Sequence, residues 1–165
     1  MLSVLLLGGA SLAQTNLAQT NLAQTNGALL GTWRLSSAVA TTASGERDAH
    51  PYGAHPSGLL SYMPDGRMTA MIAYDGRPSL SGDRVSAPGA ERAAAFATFF
   101  AYAGRYEVRG DRVTHHVEIA SVPNWVGTDL VRVMALQGDR LTLSTPPLSV
   151  GGRTQSTELV WERAK

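Results

Sequence analysis

Gly31-Thr32-Trp33 stands at the head of the first strand-like run of this chain, and Leu159-Val160-Trp161-Glu162-Arg163 stands at its end. Between them lie short alternating segments separated by tight-turn residues, among them Asp65-Gly66, Gly110-Asp111 and Gly138-Asp139. Asp-Gly and Gly-Asp between alternating apolar runs are hairpin signals. The two Trp-bearing ends therefore predict a small closed β-barrel whose first and last strands meet. Barrels of that size enclose a single pocket, so a small-molecule site is the first functional expectation.

Strand 1 reads from Leu30 to Thr41, with Trp33, Leu35 and Val39 on one face and Arg34, Ser36 and Ala38 on the other. Leu59–Met63 and Arg67–Tyr74 follow as a hairpin. Ala90–Tyr102 reads as the one helix, because Ala93, Phe96, Ala97, Phe100 and Ala103 recur at helical spacing. Gly104–Val108, Val113–Ala120, Thr128–Gln137, Arg140–Thr145 and Thr154–Arg163 complete the strands, with a corner at Pro123-Asn124-Trp125-Val126-Gly127. The fold class expected is all-β: an eight-stranded up-and-down barrel with one inserted helix, a two-sheet sandwich being the alternative.

A length of 165 residues suits one domain. The net charge of +1 sets up no field for nucleic acid or an anionic membrane. No cysteine occurs, which excludes disulfides, thiolate metal sites, a cysteine nucleophile and a lipid anchor on cysteine. Leu2–Leu7 is apolar and is followed by small residues up to Ala13, so residues 1–13 read as a signal peptide, although the usual basic flank is missing. The expected location is periplasmic or secreted, with no stable membrane anchor. Leu-Ala-Gln-Thr-Asn then repeats three times from Leu12 to Asn26. A period of five fits neither helix nor strand, and residues 14–27 read as a flexible tether before a barrel domain at 28–165.

The chain resembles the bacterial and fungal lipocalin-like domain family, a branch of the calycin-type barrels. The match is carried by Gly31-Thr32-Trp33, His50-Pro51-Tyr52-Gly53, Gly58-Leu59-Leu60-Ser61-Tyr62 and Asp65-Gly66-Arg67-Met68. It continues through Ala101–Tyr106, Val113–Glu118, Pro123–Gly127, Gly138–Leu143 and Leu159–Arg163. The resemblance implies a barrel with an internal cavity but no settled activity. It also implies that Trp33 packs at the closed end with Arg163 across it, by cation–π contact.

The turns assign faces. A two-residue turn at Gly110-Asp111 pairs Val108 with Val113 and Tyr106 with His115, on one face with Val117 and Ile119. His116 then points outward, near Arg105 and Glu118. A turn at Gly138-Asp139 pairs Leu136 with Leu141 and Met134 with Leu143, and Leu130 and Arg132 continue that face. An inward guanidinium is costly unless paired, and the neighbouring inward faces offer no acid. Tyr106, His115 and Arg132 are thus read as a polar patch in a cavity lined by Leu130, Met134, Leu143 and Trp161, with Trp125 at a barrel end. Such a site suits a small hydrophobic or amphipathic, anionic molecule. The same polar groups read equally as a network that fixes strand packing. Tyr62 lies on a hairpin with two mixed faces, and its direction stays open.

Two rival readings remain. One is an isomerase, cyclase or dehydratase acting on a small polyketide-like substrate, with His115 as the candidate catalytic acid or base. The other is a barrel plugged by Phe96, Phe99 and Phe100 in a structural or adaptor role. No cofactor is expected, since dinucleotide, phosphate-loop, serine-hydrolase and zinc-protease motifs are all missing. No metal is expected either: His115 and His116 are adjacent on a strand and face opposite ways. His50 and His55 lie in a loop.

Overall fold

The computed structural model describes residues 27–150 and 152–165. The signal-peptide reading, and the tether up to residue 26, lie outside them. Ten strands form one sheet. They are β1 (Gly31–Thr42), β2 (Arg47–Asp48), β3 (Ser57–Tyr62), β4 (Arg67–Ala73) and β5 (Phe99–Arg109), then β6 (Arg112–Ala120), β7 (Asp129–Gln137), β8 (Arg140–Ser144), β9 (Leu148–Val150) and β10 (Arg153–Arg163). A helix, α1 (Gly89–Ala97), precedes β5, and a 3₁₀ turn at Pro123–Trp125 precedes β7. The two short pieces β2 and β9 flank β1 and β10, and the other eight strands run antiparallel in a closed barrel, β1 pairing with β10. Closure removes the exposed edges that an open sheet would present.

Both glycine turns set the register that their residues dictate. Tyr106 faces His115 and Val108 faces Val113 across β5–β6, while Met134 faces Leu143 and Leu136 faces Leu141 across β7–β8. Two β-bulges alter the inward set. In β1, Leu35 pairs with Trp161 but Ser37 pairs with Val160, so Ser36 is the extra residue. Beyond it Ala38 and Ala40 are buried, and Val39 is moved off the inward face expected for it. In β6, Val117 pairs with Gly104 but Ile119 with Ala103, leaving Glu118 extra. Ile119 is accordingly 67% exposed instead of sharing a face with Val117. Gly104 permits this bulge, because a Cβ there would sit 1.9 Å from the His116 carbonyl oxygen.

The helix is shorter than its periodicity suggests. It ends at Ala97, where the Thr98 hydroxyl bonds the Ala94 carbonyl at 2.8 Å. Phe100 and Tyr102 belong to β5, paired with Ile72 and Ala70 of β4. Aromatic residues gain more from a half-buried sheet position than from extending a helix that buries none of its side chains.

The end formed by Trp33 is closed. Its ring is fully buried, its indole N–H donates to the Leu29 carbonyl at 2.9 Å, and the Arg163 guanidinium lies 4.2 Å above the ring centroid. Arg163 also donates to the Leu30 and Ala28 carbonyls and pairs with Asp139. The cation is thereby held over the indole by bonds to the segment before β1 and to the β7–β8 turn, and it lies across Trp33 as the resemblance implied.

Candidate functional site

Packing is complete around Trp33, Met68, Val113 and Leu141, but a cavity of about 490 Å³ opens in the rest of the barrel. Its apolar wall includes Leu60, Ala70, Ile72, Leu143, Leu159 and Trp161. Aromatic rings gather where the loops and α1 meet the barrel. Tyr52 packs on Tyr74 at 4.9 Å and on Phe100 at 5.8 Å, and Trp125 stands edge-on to Phe100 and Tyr102 at 5.7 and 5.9 Å. Phe96, Phe99 and Phe100 line this cavity and leave it open, so they do not fill the barrel as a plug; Phe96 is 56% exposed.

One polar cluster interrupts the apolar wall. His115, on β6, is 1% exposed. Its Nε2 lies 2.8 Å from the Tyr62 hydroxyl and its Nδ1 lies 2.9 Å from the Tyr102 hydroxyl. Burial, reinforced by the charge of Arg132, pushes the imidazole down to about 3. His115 is therefore neutral at physiological pH. Burial raises the phenols of Tyr62 and Tyr102, and Arg132 pulls each part of the way back. Tyr52 is pushed up to about 12, again mainly by burial.

Arg132, on β7, lines the cavity beside Tyr102. Its Nη1 donates to the Val131 carbonyl at 2.9 Å, and no carboxylate among the described residues forms an ion pair with it. The indole N–H of Trp161, also on the cavity wall, is buried without a hydrogen-bond partner among the described residues. A half-buried cation on the cavity wall invites an electron-rich guest atom.

Of the residues singled out from the sequence, His115, Arg132, Leu143, Trp125 and Trp161 meet on this cavity. Tyr106, Leu130 and Met134 share the inward face but do not line it. Tyr106 packs its ring on Tyr62 at 4.7 Å, with its hydroxyl 3.4 Å from the Met63 carbonyl, and neither ring lines the cavity. Leu130 packs against the buried core beside His115, and Met134 is buried opposite Leu143. Alternation along a strand fixes the face of a residue, not its depth along the barrel.

Tyr62 and Tyr102 were not among the expected site residues. Tyr62 precedes the Asp65-Gly66 turn and pairs with Met68; the register of that hairpin puts it on the face of Leu60 and hence inward. Tyr102 is concealed by the helical period that runs through it. His116 points outward, with Nδ1 2.6 Å from Asp129, and no group of three metal-ligating side chains exists among the described residues.

A closed eight-stranded barrel with a mostly apolar internal cavity is the architecture of a small-molecule-binding barrel. Residues 30–164 match the model of the lipocalin-like domain, and the chain belongs to that family. One relative is the 4′-hydroxy-3′-methoxypropiophenone carrier protein of Aspergillus oryzae, 37% identical over 106 residues that cover 58% of this chain and 96% of the relative. A lipocalin-like protein from Bacteroides uniformis aligns with a TM-score of 0.43 at 12% identity, over 82% of this chain and 98% of that one.

Proposed function

We infer that this protein binds and carries a small amphipathic molecule, its apolar body against the Leu143–Trp161 wall and its anionic or electron-rich end at Arg132. The observation that carries this reading is the Arg132 guanidinium, held on the cavity wall with no carboxylate paired to it among the described residues. The relative named as a carrier of an aryl ketone supports a carrier role for a ligand of that size. Burial of apolar ligand surface at roughly 25 cal/mol per Å² supplies the affinity, and the cation supplies orientation. An acid–base enzyme fits less well. Direct proton transfer needs a free imidazole nitrogen on the cavity, and both nitrogens of His115 are engaged by tyrosine hydroxyls. We read the carrier as exported, on the strength of the apolar run before Ala13.

Binding of naphthalene-2-carboxylate and of 2-ethylnaphthalene, followed by Trp fluorescence and calorimetry, tests this reading. The carboxylate is expected to bind the wild type, and Arg132→Leu to weaken it more than tenfold while sparing the hydrocarbon. Equal affinity of wild type and Arg132→Leu for the carboxylate removes Arg132 from the site. Failure of both probes to bind overturns the carrier function. Native mass spectrometry of protein purified without detergent, showing an added mass lost on denaturation, would supply the natural ligand.

A further inference from the structure

The hydrogen-bond chain through His115 has a direction, and that direction decides what the cavity offers a ligand. A neutral imidazole has one N–H and one bare nitrogen. Tyr62 is sealed in the core, and Nε2 of His115 is the sole hydrogen-bond partner of its hydroxyl among the described residues. The Tyr62 proton has an acceptor only if Nε2 is bare. The opposite tautomer would set the Nε2 proton against the Tyr62 oxygen and strand the phenolic proton, at a cost of about 1–3 kcal/mol. The stable arrangement is therefore Tyr62 O–H donating to Nε2, and Nδ1–H donating to the Tyr102 oxygen across 2.9 Å. With its oxygen occupied from that side, Tyr102 turns its own proton away from His115.

Tyr102 lines the cavity, as do Arg132 and Trp161. Arg132 only donates. Tyr102 and Arg132 are thus two donors on one cavity wall. The rings of Tyr52, Phe100 and Trp125 around the opening fit a flat aromatic body.

We propose that the cavity selects an aromatic ligand through an oxygen that carries no proton, a ring-conjugated carbonyl or a phenolate, with Tyr102 and Arg132 as its contacts and His115 and Tyr62 as positioning residues. The proposal rests on the cavity being a binding site. A neutral alcohol or phenol can accept here through its oxygen, but its own proton finds no acceptor in Tyr102 or Arg132, so it gains less than an oxygen without a proton.

Three matched probes test it on the full chain: 2-ethylnaphthalene, 2-acetylnaphthalene and 2-naphthol, the last followed by the absorbance of its ionised form. The ketone is expected to bind at least tenfold tighter than the hydrocarbon, or bound 2-naphthol to ionise at least one pH unit lower than free; the first result identifies a carbonyl guest and the second a phenolate. In Tyr102→Phe the ketone-to-hydrocarbon ratio falls below threefold and the naphthol shift shrinks. Hydrocarbon binding with neither a ketone preference nor a naphthol shift overturns the proposal and leaves the carrier reading intact. Absence of binding by all three probes overturns both. Independently of any variant, ¹⁵N NMR of labelled histidine reads the tautomer: protonated Nδ1 with bare Nε2 supports the arrangement, and protonated Nε2 overturns it.

Discussion

The buried, neutral imidazole of His115 makes acid stability a quantitative test of the polar cluster. Its folded-state value lies at about 3, below the ordinary value of 6.5, with burial as the largest cause. Between these limits the unfolded chain takes up a proton that the folded chain refuses. The His115 contribution is thus fully present above about pH 6.5, shrinks as the pH falls, and is exhausted near pH 3. Each pH unit inside that window costs about 1.4 kcal/mol. Going from pH 7 to pH 4.5 should therefore remove about 2–3 kcal/mol through this residue alone, a large part of the roughly 5–15 kcal/mol that holds a domain of this size together. Carboxylates also lose stabilisation in acid: Asp83 is held low by hydrogen bonds from Val85 and Ser86, and Glu118 by Arg67 and Arg105. These are common to any variant at position 115, so a difference experiment isolates the imidazole. His115→Gln keeps an acceptor and a donor between the two tyrosines but cannot be protonated. Urea denaturation of both proteins from pH 7.5 to pH 4 should show the wild type losing about 2–3 kcal/mol more than the variant by pH 4.5. Parallel pH profiles would refute the reasoning, because they would mean that His115 is hydrated or charged in the folded state.

Other perturbations probe the frame around the cavity. Gly104→Ala places a methyl group 1.9 Å from the His116 carbonyl oxygen and should cost about 3 kcal/mol or more in a denaturation midpoint, since β5 and β6 must separate at the bulge. Arg163→Met removes the cation from over Trp33 along with its bonds to the Leu30 and Ala28 carbonyls; a loss of about 2–3 kcal/mol is expected by thermal melting, with ligand binding retained. Phe96→Ser alters an exposed ring on α1, and stability should move by no more than about 0.5 kcal/mol in the same assay.

Glycine-centred turns made much of this barrel legible in advance. A two-residue connection leaves one register, so Gly110-Asp111 and Gly138-Asp139 were enough to set His115 and Arg132 facing inward. Bulges were not legible, because no local residue type announces that Ser36 or Glu118 is extra; the need arises from the opposing strand, and each bulge reversed the faces beyond it. Residues Ala90 to Tyr102 misled for a related reason. Alanines and phenylalanines at helical spacing are also compatible with strand alternation over a short window, and pairing with β4 decides between them. That uncertainty cost the site Tyr102, while the mixed hairpin faces left Tyr62 undecided. The two tyrosines hidden from the sequence are the ones that make the His115 cluster a directed chain.

This has a consequence for how polarity is divided in the barrel. His115 is neutral, both of its nitrogens are engaged, and it adds no charge to the cavity, which makes it a poor ligand group by itself. Its leverage comes through Tyr102, whose hydroxyl it fixes as a donor beside a guanidinium. A histidine free to switch tautomer would let Tyr102 accept as easily as donate, and the cavity would discriminate weakly between a ketone and an alcohol. Sealing Tyr62 behind the imidazole removes that freedom, because the reversed chain would leave a buried proton without an acceptor. Tyr106, packed on Tyr62 at 4.7 Å, helps to close that seal. Residues that never reach the cavity thus set the polarity of the residue that does.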